Sequence, residues 1–119
     1  MVRVDADMLR IVLENLVDNG LKYGGDEPVV ELAVSTDGGM GLIAVSDGGV
    51  GFDRATAQRL FVPFSRGLSG GHGIAHGTGL GLAIARDLCR RMDGELSAHS
   101  DGPDRGSTFT VAIPLANKE

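Results

Sequence analysis

Four short stretches carry residues whose types and spacing could do chemistry. In "NLVDNGLKY", Asn15 and Asn19 are four apart and Lys22 follows three later, so a helix would project all three from one side, beside its apolar stripe. Amide oxygens suit a hard cation such as Mg²⁺, which keeps several waters and takes few protein ligands, and a lysine can reach a phosphate. The same residues also fit a solvated helix face. In "SDGGVGF", Asp47 closes an apolar run, and Gly49 and Gly51 follow at alternate positions. A carboxylate there can accept a hydrogen bond from the exocyclic amine of adenine. Guanine presents a carbonyl at that place, which would set a buried charge against an acceptor, at a cost of roughly a few kcal/mol. Glycines beside it would let the backbone approach a flat base, although a glycine-rich turn capped by Asp47 reads the same way.

The third stretch, "FVPFSRG", places Phe61 and Phe64 either side of Pro63, with Arg66 just beyond. The two rings fit ordinary core packing, or the near end of a loop from which Arg66 reaches a phosphate. The fourth, "HGTGLGLAIARDLCRRMDG", sets Gly77, Gly79 and Gly81 at alternate positions before an amphipathic helix. A glycine in or near a helix costs about 1 kcal/mol relative to alanine. In return, glycines expose the first amides of the helix, whose dipole adds partial positive charge, and such an end suits phosphate. This is neither a P-loop nor a dinucleotide fingerprint: no Lys-Ser/Thr follows, no strand precedes, and position 82 is leucine.

These stretches need elements to hold them. Leu9, Val12, Leu13, Leu16, Gly20 and Tyr23 recur at helical spacing, which predicts a helix over 6–23, capped by Asp5 or Asp7 and stopped at Gly24–Gly25. A short strand at 2–4 would precede it. Residues 29–35 and 41–47 read as strands joined at Asp37-Gly38-Gly39. A short helix is expected over 53–61, ended by Pro63, and a glycine- and serine-rich loop over 65–76. A second long helix runs from about Leu80 to Met92 and stops at Asp93-Gly94, with Cys89 on its inner side. Residues 95–100 and 107–115 form a last hairpin, with His99 in a strand. This order predicts a two-layer α/β (α+β) sandwich, with a mixed, mostly antiparallel sheet covered on one face by helices.

Composition narrows the partners. The chain has 119 residues, enough for one domain spanning 1–119, with 42% hydrophobic and 23% charged residues and a net charge of −5. An acidic chain with four Phe, one Tyr and no Trp is a poor match to nucleic acid. No apolar run approaches the roughly 20 residues of a membrane span. A single Cys89 excludes an internal disulfide and suits a reducing compartment, so the cytoplasm is expected. Thirteen of the 19 glycines fall in the windows 38–51 and 67–81. From Arg54 to Arg86 there are four Arg and no Asp or Glu, which favours an anionic ligand beside the second glycine window.

Taken in order, Asn15/Asn19, Asp47-x-Gly49-x-Gly51, Phe61-x-x-Phe64 and Gly77-x-Gly79-x-Gly81 resemble the N, G1, F and G2 boxes of the ATP-binding catalytic domain of bacterial sensor histidine kinases. "GSTFTVAIP" is similar to that family's closing strand, so the resemblance spans Asp7 to Pro114. It implies the Bergerat sandwich shared with gyrase and MutL, with ATP and Mg²⁺ as cofactors. Asn19 would ligate Mg²⁺, with Asn15 and Lys22 as further catalytic residues near the phosphates. Asp47 would bind adenine, with Thr108 supporting it through water. Tyr23, Gly49, Gly51, Phe64, Arg66, Gly77, Thr78, Gly79, Leu80, Gly81 and Leu82 would complete the ATP site, and residues 65–78 would be the ATP lid. Departures are modest: Gly20 stands where alanine is usual, and Gly48 where a larger residue is common. His72 and His76 in the lid are not required by the pattern. They fit a solvated loop, an auxiliary phosphate contact or, least readily among so many glycines, a metal site.

The resemblance also implies what lies elsewhere. Histidine kinases of this kind phosphorylate a histidine followed by an acid and, four residues on, a proline. None of the three histidines here has that context. The expected partners are therefore a histidine-bearing dimerisation domain of the same full-length kinase and a response regulator. No direct membrane contact is expected, and the isolated domain should be a monomer. A serine kinase of the anti-sigma-factor type, with the same fold, is the alternative. A gyrase-like clamp would carry a glutamate base where Asn15 stands, and an amide cannot take a proton from water. Glu14 is one residue off, turned about 100° around the helix.

Overall fold

The apolar periodicity of the first segment produces α1, Ala6–Tyr23, with Asp7 in its first turn and Lys22 in its last, each of the sign the helix dipole favours. Its inward residues are Val12, Leu16 and Gly20. The structure, a computed structural model, describes residues 6–23, 27–62 and 80–114. The expected strand at 2–4, the stop at Gly24–Gly25 and the lid 65–78 lie outside the described residues. So do Phe64, Arg66, His72, His76, Gly77, Thr78 and Gly79.

β1, Val30–Asp37, and β2, Met40–Asp47, form a hairpin whose turn residues Gly38 and Gly39 have φ of 57° and 90°. A two-residue hairpin turn with both φ positive matches the right-handed twist of the strands, and glycine takes that geometry without strain. The chain then makes α2, Arg54–Ala57, capped by Asp53, whose side chain accepts from the Thr56 amide at 2.8 Å. This helix is shorter than expected. Beyond it the bonds tighten, with Arg59 N–H donating to the Thr56 carbonyl at 2.9 Å and Val62 N–H to the Arg59 carbonyl at 3.1 Å, so 58–62 is a series of turns.

α3, Gly81–Arg91, leads through Asp93 and Gly94 into β3, Glu95–His99, and then β4, Ser107–Pro114. Its end is a Schellman motif: the Asp93 amide donates to Arg90 O at 3.0 Å and the Gly94 amide to Cys89 O at 2.9 Å. Asp93 takes the left-handed conformation at φ 63°, while Gly94 is needed for a different reason. A Cβ there would collide with the Ala112 carbonyl of β4.

The strands order as β1-β2-β4-β3, and every described pair is antiparallel. Alternation puts Val45, Phe109, Val111, Ile113 and Leu96 on one face. α1 and α3 cover that face with Val12, Leu16, Leu82, Ala85, Cys89 and Met92, and Phe52 and Leu60 close the end. Among the described residues the result is a four-stranded antiparallel sheet with its helices packed on one side. Cys89 is fully buried, and burial pushes its thiol up to about 11, so it is an inert core residue at neutral pH. Among the described residues no helix is long and apolar enough to cross a membrane.

At the surface, Arg90 grips Glu95 with Nε at 3.1 Å and a terminal nitrogen at 3.0 Å, and Arg86 Nε adds a contact at 3.4 Å. The Arg90 hydrogen bond leads in pulling the Glu95 carboxyl down to about 2. A depressed folded-state pKa stabilises above the unfolded value of about 4.3 and is lost as pH falls toward the folded one. The Glu95 side chain is 49% exposed, so solvent screening holds the effect to no more than about 1 kcal/mol. Denaturant titration of Glu95→Gln should therefore show a small deficit at pH 7 that disappears between pH 4.5 and 2.

Candidate functional site

α1 ties the separate stretches together. Its last residue accepts a hydrogen bond at the Tyr23 carbonyl from the Val50 amide at 3.0 Å, fixing the helix end to the loop after β2. One turn earlier, Gly20 faces the sheet: a Cβ there would lie 2.8 Å from Val30 Cγ2 and 3.6 Å from Asp47 Cβ. The absence of a side chain at 20 lets the helix lie close against Asp47. Further back, Asn15 turns toward the start of α3, its Oδ1 3.7 Å from where a Gly81 Cβ would be. Asn15 and Asn19 are both half-buried on this side.

Asp47 ends β2 on the helix-facing side, two residues after the buried Val45. It is half-buried, and its Oδ1 accepts from the Gly49 amide at 2.8 Å, which folds the turn back on the carboxylate. Gly49 itself is buried. At the start of α3 the N-cap residue, Leu80, makes no side-chain cap hydrogen bond. Gly81 is exposed there.

Four of the expected site residues have partners within the protein itself. Thr108 does not stand beside Asp47: the register pairs Asp47 with Ser107, and Thr108 with Ser46. The Thr108 hydroxyl lies 3.1 Å from that of Ser46 on the opposite face of the sheet. The hydroxyl beside Asp47 is Ser107. Leu82 is 5% exposed and belongs to the core, so only its backbone can serve a ligand. The ammonium of Lys22 is in an ion pair with Asp18 at 3.1 Å. Gly51, at φ 61°, is a glycine because a Cβ would collide with the carbonyl of Gly102 and come within 2.8 Å of Ser100 Oγ. That requirement comes from the neighbouring loop.

Phe61 is half-buried against the core, with the Arg86 guanidinium 4.8 Å from its ring centroid. That contact joins α3 to the segment leading out of α2. It also places Arg86 between a ring and Glu95, so the acid-free window of the sequence is not acid-free in space. His99 is exposed at the end of β3, with Nε2 3.0 Å from Asp101 Oδ1.

The arrangement presents amide oxygens on α1, a carboxylate in a tight turn and the start of α3. The histidine kinase-, DNA gyrase B-, and HSP90-like ATPase family matches residues 4–117. The chain belongs to this ATPase family. It is therefore a nucleotide-binding domain. Among relatives, the chain is 41% identical over 116 residues to the sensor histidine kinase RcsC of Escherichia coli, covering 96% of this chain and 12% of that protein. It is 42% identical over 115 residues to the sensor protein KdpD of Mycobacterium tuberculosis, covering 97% and 13%. The chain thus spans about an eighth of the length of these relatives. In structure it is similar to the mycobacterial sensor histidine kinase MprB, with TM-score 0.83, 25% identity and coverage of 95% of this chain and 76% of that one. It is also similar to full-length ShkA in complex with AMPPNP, with TM-score 0.77, 29% identity and coverage of 93% and 22%.

Proposed function

We propose that this domain binds ATP with Mg²⁺ and donates the γ-phosphate to a histidine on a separate dimerisation domain of the same full-length kinase, from which a response regulator takes it. The observation that carries the reading is the placement along α1: Gly20 beside Asp47, and Asn15 beside the start of α3, little more than one turn apart. One helix thereby spaces a base-reading carboxylate from a phosphate-holding helix end. RcsC and MprB are sensor histidine kinases, which favours this reading over the serine-kinase one.

In this reading Asp47 accepts from the adenine amine, with Ser107 beside it. Asn19 and Asn15 supply amide oxygens to Mg²⁺ and the phosphates, and Lys22 exchanges Asp18 for a phosphate oxygen. The metal neutralises phosphate charge. The backbone amides of Leu80, Gly81 and Leu82 face the phosphates, with Gly77, Thr78 and Gly79 before them. Residues 65–78 would serve as the lid, with Arg66 reaching a phosphate from it and Phe64 at its near end. The unit is one catalytic domain, monomeric alone and working in the cytoplasm. Isothermal calorimetry tests the binding half of the proposal. ATP should bind at least tenfold more tightly with Mg²⁺ than after chelation, and GTP should bind far more weakly; equal binding of ATP and GTP would refute it.

A further inference from the structure

The loop joining β3 to β4 leans on the turn that carries Asp47, and one side chain organises the contact. Ser100 Oγ lies 2.6 Å from the Gly106 carbonyl and 3.1 Å from that of Gly102, and it accepts from the amides of Phe52 and Gly102, each at 3.2 Å. A hydroxyl has one proton and two lone pairs. Donation to Gly106 and acceptance from the two amides use all three. The bond to Phe52 reaches 48 positions back in the chain, and the Phe52 ring is held in the core, 6.4 Å from that of Phe109.

The far side of this hub is the Asp47 turn. The Gly106 amide donates to Gly49 O at 3.1 Å and the Asp104 amide to Val50 O at 2.7 Å. Gly106, at φ 74°, crosses so close to Asp47 that a Cβ would strike its carbonyl. Gly49 is the residue whose amide holds the Asp47 carboxylate. A continuous path therefore runs from the core ring of Phe52 through Ser100 and Gly106 to the carboxylate.

We propose that Ser100 is a positioning residue for nucleotide recognition. It fixes the Gly106 backbone, which in turn fixes the Asp47–Gly49 turn in the orientation that reads adenine. The proposal rests on Asp47 as the adenine reader. Ser100 does not touch the nucleotide, so the property it governs is discrimination at the base.

The test is calorimetry of ATP and GTP on wild type, Ser100→Ala and Ser100→Thr. Ser100→Ala should bind ATP about tenfold more weakly and lose most of its preference over GTP, while Ser100→Thr, which keeps the hydroxyl, should recover both. Unchanged affinity and preference in Ser100→Ala, or equal loss in Ser100→Thr, overturns the role of Ser100 while leaving the adenine site standing. A wild type that does not distinguish ATP from GTP overturns the adenine reading and this proposal with it. Should Ser100→Ala not fold, hydrogen exchange on the wild type decides. Protection at Phe52 and Gly102 should rise with ATP and much less with GTP, and an identical response to both overturns the proposal.

Discussion

Asp47→Asn should abolish useful ATP binding while leaving the domain folded. The side chain keeps its size, and its carbonyl oxygen can retain the 2.8 Å bond from the Gly49 amide. The amide NH₂ then occupies the place of the second carboxylate oxygen, so a donor faces the donor of the adenine amine. Loss of a charge-assisted bond and creation of an unsatisfied pair together correspond to about 3 kcal/mol, or roughly 100-fold in affinity. The thermal midpoint should stay close to that of the wild type, because Asp47 lies at the end of β2 and outside the core. Calorimetry with ATP and a melting curve on the same sample check both halves. ATP affinity within threefold of wild type would remove Asp47 from the site.

Gly106→Ala should be damaging in a different way, because it strikes both fold and site. At φ 74° an alanine is strained by about 1–2 kcal/mol, and its Cβ meets the Asp47 carbonyl, which is backbone and cannot swing aside. The β3–β4 loop and the Asp47 turn must separate. A loss of about 2–4 kcal/mol is expected, or a fall of roughly 10 °C in the midpoint, together with loss of ATP binding. Gly38→Asn is the matched control. Its φ of 57° suits asparagine in a tight hairpin turn, and nothing lies within 4 Å of a Cβ there. That variant should melt and bind like the wild type. Equal stability of Gly106→Ala and Gly38→Asn would contradict the close crossing.

The parts of the fold that could be read from the sequence are those set by local rules. α1 has the expected bounds, Ala6–Tyr23, because its apolar residues repeat at one period throughout. The first hairpin follows from two adjacent glycines, and the end of α3 from Asp93-Gly94, although the two residues serve different needs. The long-range partners were not legible. Ser107 and Thr108 are both hydroxyl residues, and only the register decides which stands beside Asp47. A one-residue difference in a strand moves a side chain to the other face. Ser100 reads as the last residue of the strand 95–100, since its partner Phe52 lies 48 positions away and contributes a backbone amide that no side-chain motif records. Gly51 was legible as a required glycine but not for its cause, which is the carbonyl of Gly102. Arg86 counted toward a basic window in sequence, whereas folding brings Glu95 against it.

The central claim is that this domain supplies a phosphoryl group and leaves its acceptance to another. None of its three histidines is followed by an acid and, four residues on, a proline, and in the proposed site position 15 is an amide, which cannot take a proton from water. The most direct measurement is incubation with γ-labelled ATP and Mg²⁺, alone and with the cognate histidine-bearing dimerisation domain, followed by separation of the two chains. The label should appear on the dimerisation domain only, in acid-labile form, and this chain should remain unlabelled and release little free phosphate. Stable label on this chain alone, or no transfer when the cognate domain is present, would contradict the account.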